Sequence, residues 1–211
     1  MNTNFFNIDF RKMSSQNAFQ NITRHNLRTE QYVKKSPNQI DKSNDDLLLA
    51  SNPYRSKSHY RKIIKTKINE YNEKGGKHRM IKENSAFAFT LIIQASYYPI
   101  QRDKHLEFLK SSFTFFKERF LHHEIIEAVI HLDEQTPHLH LTISYFDDEL
   151  VKFNQKGIIE LTNLNKVNND FEKDVGCRFD LKQGVSSKEK KKILDLRLLK
   201  QIRKINTPSQ P

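Results

Sequence analysis

The chain has 211 residues, and its 36 lysine and arginine side chains outnumber 25 aspartate and glutamate, for a formal net charge of +11 and a pI near 9.6. That length suits one well-buried domain, and the charge favours a polyanionic partner. The single Cys177 excludes an intrachain disulfide and a cysteine-built zinc site. Met1 to Phe10 lacks the pattern of a signal peptide, and the longest apolar stretches, Ala86 to Ile93 and Ile125 to Ile130, are too short to span a bilayer. A cytoplasmic protein with no membrane span is expected.

Phe6, Ile8 and Phe10 alternate with Asn7, Asp9 and Arg11, which predicts an opening strand with one buried face. Ser14 to Arg28 carries Ala18, Phe19 and Ile22 at helical spacing, a short helix with Arg24-His25-Asn26-Leu27-Arg28 near its end. Thr29 to Pro53 is rich in Asn, Asp, Ser and Lys and reads as loop around the apolar knot Leu47 to Leu49. Tyr60, Ile63, Ile64, Ile68 and Tyr71 share one face of a basic helix that should end before Gly75, with Lys57, Arg61, Lys62, Lys65 and Lys67 around it.

Phe87, Phe89, Leu91 and Ile93 alternate with Ala88, Thr90, Ile92 and Gln94, a second strand. Leu106, Leu109, Phe113, Phe116 and Phe120 form the stripe of a helix lying on a sheet. Ile125 to Leu132 and His138 to Phe146 are apolar on both faces and read as adjacent central strands of a hairpin. Leu150, Val151 and Phe153 predict a short additional strand. Leu164, Val167, Phe171 and Val175 predict a helix, with Thr162 as its N-cap and Gly176 as its C-cap. Leu194, Leu198, Ile202 and Ile205 predict a last, lysine-coated one. The order is an α+β pattern, a central antiparallel β-sheet flanked by helices. It divides into a catalytic domain over 1–187 and a basic amphipathic C-terminal helix and tail over 188–211.

The sharpest chemistry lies in His131-Leu132-Asp133-Glu134-Gln135-Thr136-Pro137-His138-Leu139-His140. Residues two apart on a strand point the same way, so His138 and His140 project together. Pairing His131 with His138 sets Val129 opposite His140 and brings all three imidazoles to one face. Three neutral ring nitrogens on a rigid sheet hold a divalent ion and leave positions open for water and a phosphate oxygen. Imidazole ligation alone leaves manganese, magnesium and zinc open. A closed structural zinc site would want a fourth ligand, which cysteine cannot supply. Asp133 and Glu134, at the strand end, are each placed to accept a proton or orient a ligand.

The ten-residue segment resembles the HxDExTPHxH signature of the Mob/Pre plasmid mobilisation and recombination proteins, the MobV relaxases. Arg24-His25-Asn26-Leu27-Arg28 is similar to that family's HNxR element, and weaker similarity runs through Leu161 to Lys192. The resemblance implies the fold of relaxases and rolling-circle initiators, the HUH-like fold, with His131, His138 and His140 on a metal. It implies Glu134 as the group assisting the nucleophile, and His25 as the nucleophile that gives a phosphoramidate. The family's middle asparagine-tyrosine-acid-leucine element corresponds to Asn44-Asp45-Asp46-Leu47, where Asp45 replaces the tyrosine. Tyr54 and Tyr60 stand as alternative nucleophiles.

The expected activity is metal-dependent nicking and rejoining of one DNA strand at a plasmid origin of transfer, through a covalent 5′-phosphoryl enzyme. Manganese or magnesium is expected ahead of zinc. The partners are single-stranded and hairpin DNA of that origin, contacted by Arg24, Arg28, Arg61, Lys62 and Lys65, and the conjugation machinery. The competing functions are a rolling-circle replication initiator, a non-catalytic DNA-binding relative and a hydrolase of small phosphoesters.

Overall fold

The computed structural model describes residues 4–13, 16–26, 47–50, 57–75, 86–96, 102–132, 134, 136–147 and 163–184. In chain order these form β1 (Phe5–Met13), α1 (Gln16–Asn26), β2 (Leu47–Ala50), α2 (Lys57–Gly75), β3 (Ala88–Ser96), α3 (Arg102–Arg119), β4 (His123–His131), β5 (His138–Asp147), α4 (Leu164–Asp174), a 3-10 turn (Gly176–Phe179) and β6 (Lys182–Gln183). One six-stranded sheet runs β2-β4-β5-β3-β1-β6. Its pairs are antiparallel except that β6 runs parallel to β1 at the edge.

The alternation within each strand gives the sheet two unlike faces. On one, Phe6, Phe89, Leu91, Ile93, Ala128, Ile130, Leu139, Leu141, Ile143 and Tyr145 form a buried core with residues of α3, α4 and the 3-10 turn. Phe171 of α4 is its hub, with ring centroids 4.9 Å from Phe6, 5.9 Å from Phe108, 5.2 Å from Phe115 and 5.7 Å from Phe116. Each phenylalanine so buried is worth about 1.5–3 kcal/mol of transfer free energy, so this face supplies most of the stability. The opposite face carries Thr90, Glu127, His131, His138, His140, Thr142 and Ser144, all buried. Oriented polar groups are tolerable there because they find partners, as Thr90 and Thr142 do at 2.9 Å.

Several sequence expectations need correction. Leu47–Ala50 is an edge strand on β4, with Leu48 opposite Val129, where loop was expected. Four residues are too few to reveal an alternation. β6 was not foreseen for the same reason. The buried line of α3 and the turn after it is His105, Phe108, Leu109, Ser112, Phe116 and Phe120, with Leu106 and Phe113 only partly buried on its flank. Its polar members satisfy themselves locally, Ser112 by donating to Phe108 O at 2.7 Å and His105 through Nε2 to Ala95 O at 3.1 Å. A stripe drawn through apolar residues alone is therefore rotated.

α2 continues through Gly75. α4 is capped by Asn163, whose side chain accepts from the Lys166 amide, and ends at Val175. Thr162 lies outside the described residues. Gly176 opens the 3-10 turn instead of capping. A Cβ there would sit 2.9 Å from Leu181 O and 3.2 Å from Phe6 Cε1, so close approach explains the glycine, and the left-handed position falls on Asp180 (φ 54°). The strand expected at Leu150 to Phe153, the helix expected from Leu194 and the tail 188–211 lie outside the described residues.

Candidate metal centre

The β4-β5 hairpin has the expected register, with His131 opposite His138 and Val129 opposite His140. The three imidazoles share the polar face, with ring centroids 5.2 Å apart for His131 and His138, 5.2 Å for His131 and His140, and 4.8 Å for His138 and His140. His138 donates from Nδ1 to Thr136 O at 2.9 Å. That bond sets the tautomer and leaves the Nε2 lone pair facing inward. Its Nε2 lies 3.0 Å from Nε2 of His140.

α1 brings a fourth imidazole to the same place. His25, at its C-terminal end, has Nε2 3.1 Å from His140 Nε2, and ligand atoms of His25, His131, His138 and His140 all lie within 4.8 Å of one another. Nitrogens bound at about 2.0–2.1 Å to one ion stand roughly 3 Å apart, so the spacing suits a shared cation. One in-plane lone pair on His140 Nε2 cannot satisfy two neighbouring rings by hydrogen bonding alone. The donor set therefore fits a divalent metal.

The electrostatics favour a ligand state. The pKa of His140 is held well below the ordinary imidazole value, first by burial and then by His138, His25, His131 and Arg11. A neutral imidazole with a free lone pair is what a metal requires.

Glu134 Oε1 lies 3.9 Å from His25 Nε2, near enough for electrostatic attraction and too far for a hydrogen bond. Asp133, Arg28, Asp45 and Tyr54, and the side chains of Arg61 and Tyr60, lie outside the described residues. Arg24 is exposed beside His25, and Lys62 and Lys65 are exposed on α2. Lys67 is instead paired with Glu124 of β4.

Three participants escaped the sequence reading. Glu127 of β4 is fully buried and accepts from Asn26 Nδ2 at 2.5 Å. Asn26 is the chain neighbour of His25 in the Arg24 to Arg28 segment. Arg11, exposed on β1 and paired with Asp9 at 2.9 Å, lies on the polar face opposite Thr90. A lone acid inside the apolar run Ile125 to Ile130 was the available signal for Glu127.

The sheet, its helices and the histidine centre define the fold of relaxase domains. The protein resembles the manganese-bound MobM relaxase domain (MOBV; Mob_Pre) in complex with 22 nucleotides of plasmid pMV158 origin-of-transfer DNA, with a TM-score of 0.63 and 22% identity over 85% of this chain and 90% of that one. A second complex of MobM, with 23 nucleotides and manganese, matches with a TM-score of 0.62 and 21% identity over 90% of this chain and 98% of that one. The family model described as Mob_Pre, plasmid recombination enzyme, matches residues 2–197, and the chain belongs to that family. A plasmid recombination enzyme of Lactiplantibacillus plantarum is 26% identical over 137 residues, 62% of this chain, which spans 37% of that relative's length. Among the described residues no helix is long and apolar enough to cross a membrane.

Proposed function

We propose that the protein is a metal-dependent relaxase that cuts and rejoins one DNA strand at a plasmid origin of transfer. The observation that carries this reading is the convergence of His25, from a helix, on the centre formed by His131, His138 and His140 of the hairpin, in a chain of the Mob_Pre family. His131, His138 and His140 hold the ion, manganese or magnesium. When bound there, such an ion supplies Lewis acidity toward a non-bridging oxygen of the scissile phosphate.

His25 is the nucleophile. Glu134, 3.9 Å from His25 Nε2, acts as the base through one intervening water and accepts the proton that Nε2 must shed, so that a neutral ring attacks with its lone pair at Nε2 and its remaining proton on Nδ1. An Nε2–P bond then forms as the P–O3′ bond breaks, and the proton held by Glu134 passes to the departing oxygen, which leaves as a 3′-hydroxyl while Glu134 returns to its carboxylate form. The covalent link conserves the phosphodiester's energy, so the hydroxyl can reverse the reaction without ATP. Arg24, Arg28, Arg61, Lys62 and Lys65 contact the strand or the neighbouring hairpin. The catalytic unit is 1–187, with 188–211 as a basic tail. Its place of work is the cytoplasm, where it meets the plasmid and the conjugation machinery.

The decisive experiment incubates the protein with a 5′-labelled strand carrying a plasmid origin of transfer, with and without manganese, alongside a label on the 3′ fragment. The reading requires manganese-dependent cleavage and attachment of protein to the 5′ end of the downstream fragment, through an acid-labile bond. Cleavage that leaves both ends free of protein, or an acid-stable link, overturns it.

A second reading has one observation in its favour. His25 Nε2 stands as close to His140 Nε2 as His138 Nε2 does, at 3.1 Å against 3.0 Å, the spacing of a fourth ligand in a closed centre.

A further inference from the structure

A nucleophile on the last turn of a short helix is only as well placed as that helix. α1 spans eleven residues, too short to be stable without tertiary contacts, and its side chains that turn inward at this end are Thr23 and Asn26, both buried. Asn26 donates from Nδ2 to Glu127, at 2.5 Å and 101 residues away in sequence. Glu127 stands opposite Thr142 on the sheet, as Val129 stands opposite His140. One pleat, about 6.6 Å along the strand, thus separates the Glu127 position from the pair that includes His140. Asn26 is the chain neighbour of His25. The helix end is held over the sheet at two adjacent points, by Asn26 on Glu127 and by His25 against His140.

We propose that Asn26 and Glu127 are positioning residues that fix the end of α1 so that the His25 ring faces the metal centre. This rests on the reading of His25 as nucleophile. Neither residue touches the reacting atoms. The amide of Asn26 is a donor that does not titrate, and its short stem lets the helix lie close to β4. Glu127 is fully buried on the sheet face, so its bond to Asn26 restrains both the rotation of α1 about its axis and its height above the strands. Misplacing a reacting atom by about 1 Å is enough to slow a reaction roughly 100-fold.

The test compares the full chain with Asn26→Ala, Glu127→Gln and His25→Ala. Single-turnover cleavage of the labelled origin strand is measured at saturating protein and manganese, with manganese affinity and melting temperature determined separately. The metal-free proteins are also compared by NMR of the histidine ring protons. Asn26→Ala should cleave about 10–100-fold more slowly with manganese affinity unchanged, and its His25 ring signal should broaden or shift while that of His138 stays in place. Glu127→Gln retains an oxygen that accepts from Asn26, and should keep most of the rate. The inference is overturned if Asn26→Ala cleaves at the wild-type rate, if its His25 signal is unmoved, or if its loss of rate merely follows a loss of metal affinity or folding. Failure of the underlying reading is seen separately: His25→Ala would then still form the covalent link.

Discussion

Nε2 of His25 and Nε2 of His140 lie 3.1 Å apart, although one ring comes from a half-buried helix end and the other from a buried central strand. The same spacing serves a nucleophile waiting beside a metal and a fourth ligand upon it. Manganese titration separates these roles. With His25 as nucleophile, His25→Ala abolishes the covalent link and changes manganese affinity less than about threefold, whereas His138→Ala loses more than the roughly 10–100-fold attached to an outer-shell partner. A fall of that size in His25→Ala, measured by calorimetry, would establish the four-ligand centre instead.

Glu134 tests the proton step. Its carboxylate stands 3.9 Å from His25 Nε2, and Glu134→Gln preserves its shape while removing its capacity to take a proton. Single-turnover cleavage should slow about 10²–10⁴-fold, the range of a general base, with manganese and DNA affinities unchanged. A rate within about threefold of wild type, far short of a general base's contribution, would assign Glu134 to positioning or to the turn.

The hairpin half of this centre was legible because its information is local. A two-residue period places His138 and His140 together, and the short connection pairs them with His131. The other half was not. His25 entered by resemblance to a family motif, and nothing in the periodicity of Gln16–Asn26 states that α1 crosses the polar face of the sheet. The contact that fixes it joins Asn26 to Glu127 across 101 residues. Similar reasons apply to the fold: long strands with full alternation were readable, whereas β2 and β6 are defined by the neighbours they pair with. The α3 stripe was misdrawn because His105 and Ser112 are polar and buried nonetheless.

The exposed cations of α2 predict a salt dependence. Lys62 and Lys65 are exposed, while Lys67 is committed to Glu124. If this exposed pair contacts phosphates, Lys62→Ala/Lys65→Ala should flatten the slope of log K against log salt by about 0.7 per contact on a single strand and about 0.9 on duplex. The loss should be equal for origin and unrelated sequences, as read by fluorescence anisotropy across a salt series. An unchanged slope removes these two lysines from the interface.

Stability should depend on the aromatic hub. Phe171 is fully buried, with four phenylalanine rings within 5.9 Å of its own. Phe171→Ala removes those contacts and leaves a cavity, which costs about 3–5 kcal/mol. Because a domain of this kind has about 5–15 kcal/mol in total, the urea midpoint should fall by about a fifth or more. Phe171→Leu should recover a large part of the loss, since most of the volume is restored.

Tyr145 gives the protein an alkaline limit. Burial raises its phenol from the ordinary value of 10.0 to about 12, because the phenolate is poorly solvated among core side chains. The folded state therefore holds this proton more tightly than the unfolded chain does. The resulting stability is fully present below pH 10 and is lost as the pH rises toward 12, to a total of about 2–3 kcal/mol. Tyr145→Phe keeps the ring against Phe89, 5.5 Å away between centroids, and removes the titration. Urea unfolding of the two proteins at a series of pH values should thus give curves whose difference is constant up to pH 9 and then shifts in favour of Tyr145→Phe. Lysine and arginine titration is common to both proteins and cancels in that difference. A gap that stays constant through pH 12 would mean that the phenol ionises equally readily in the folded and unfolded chains.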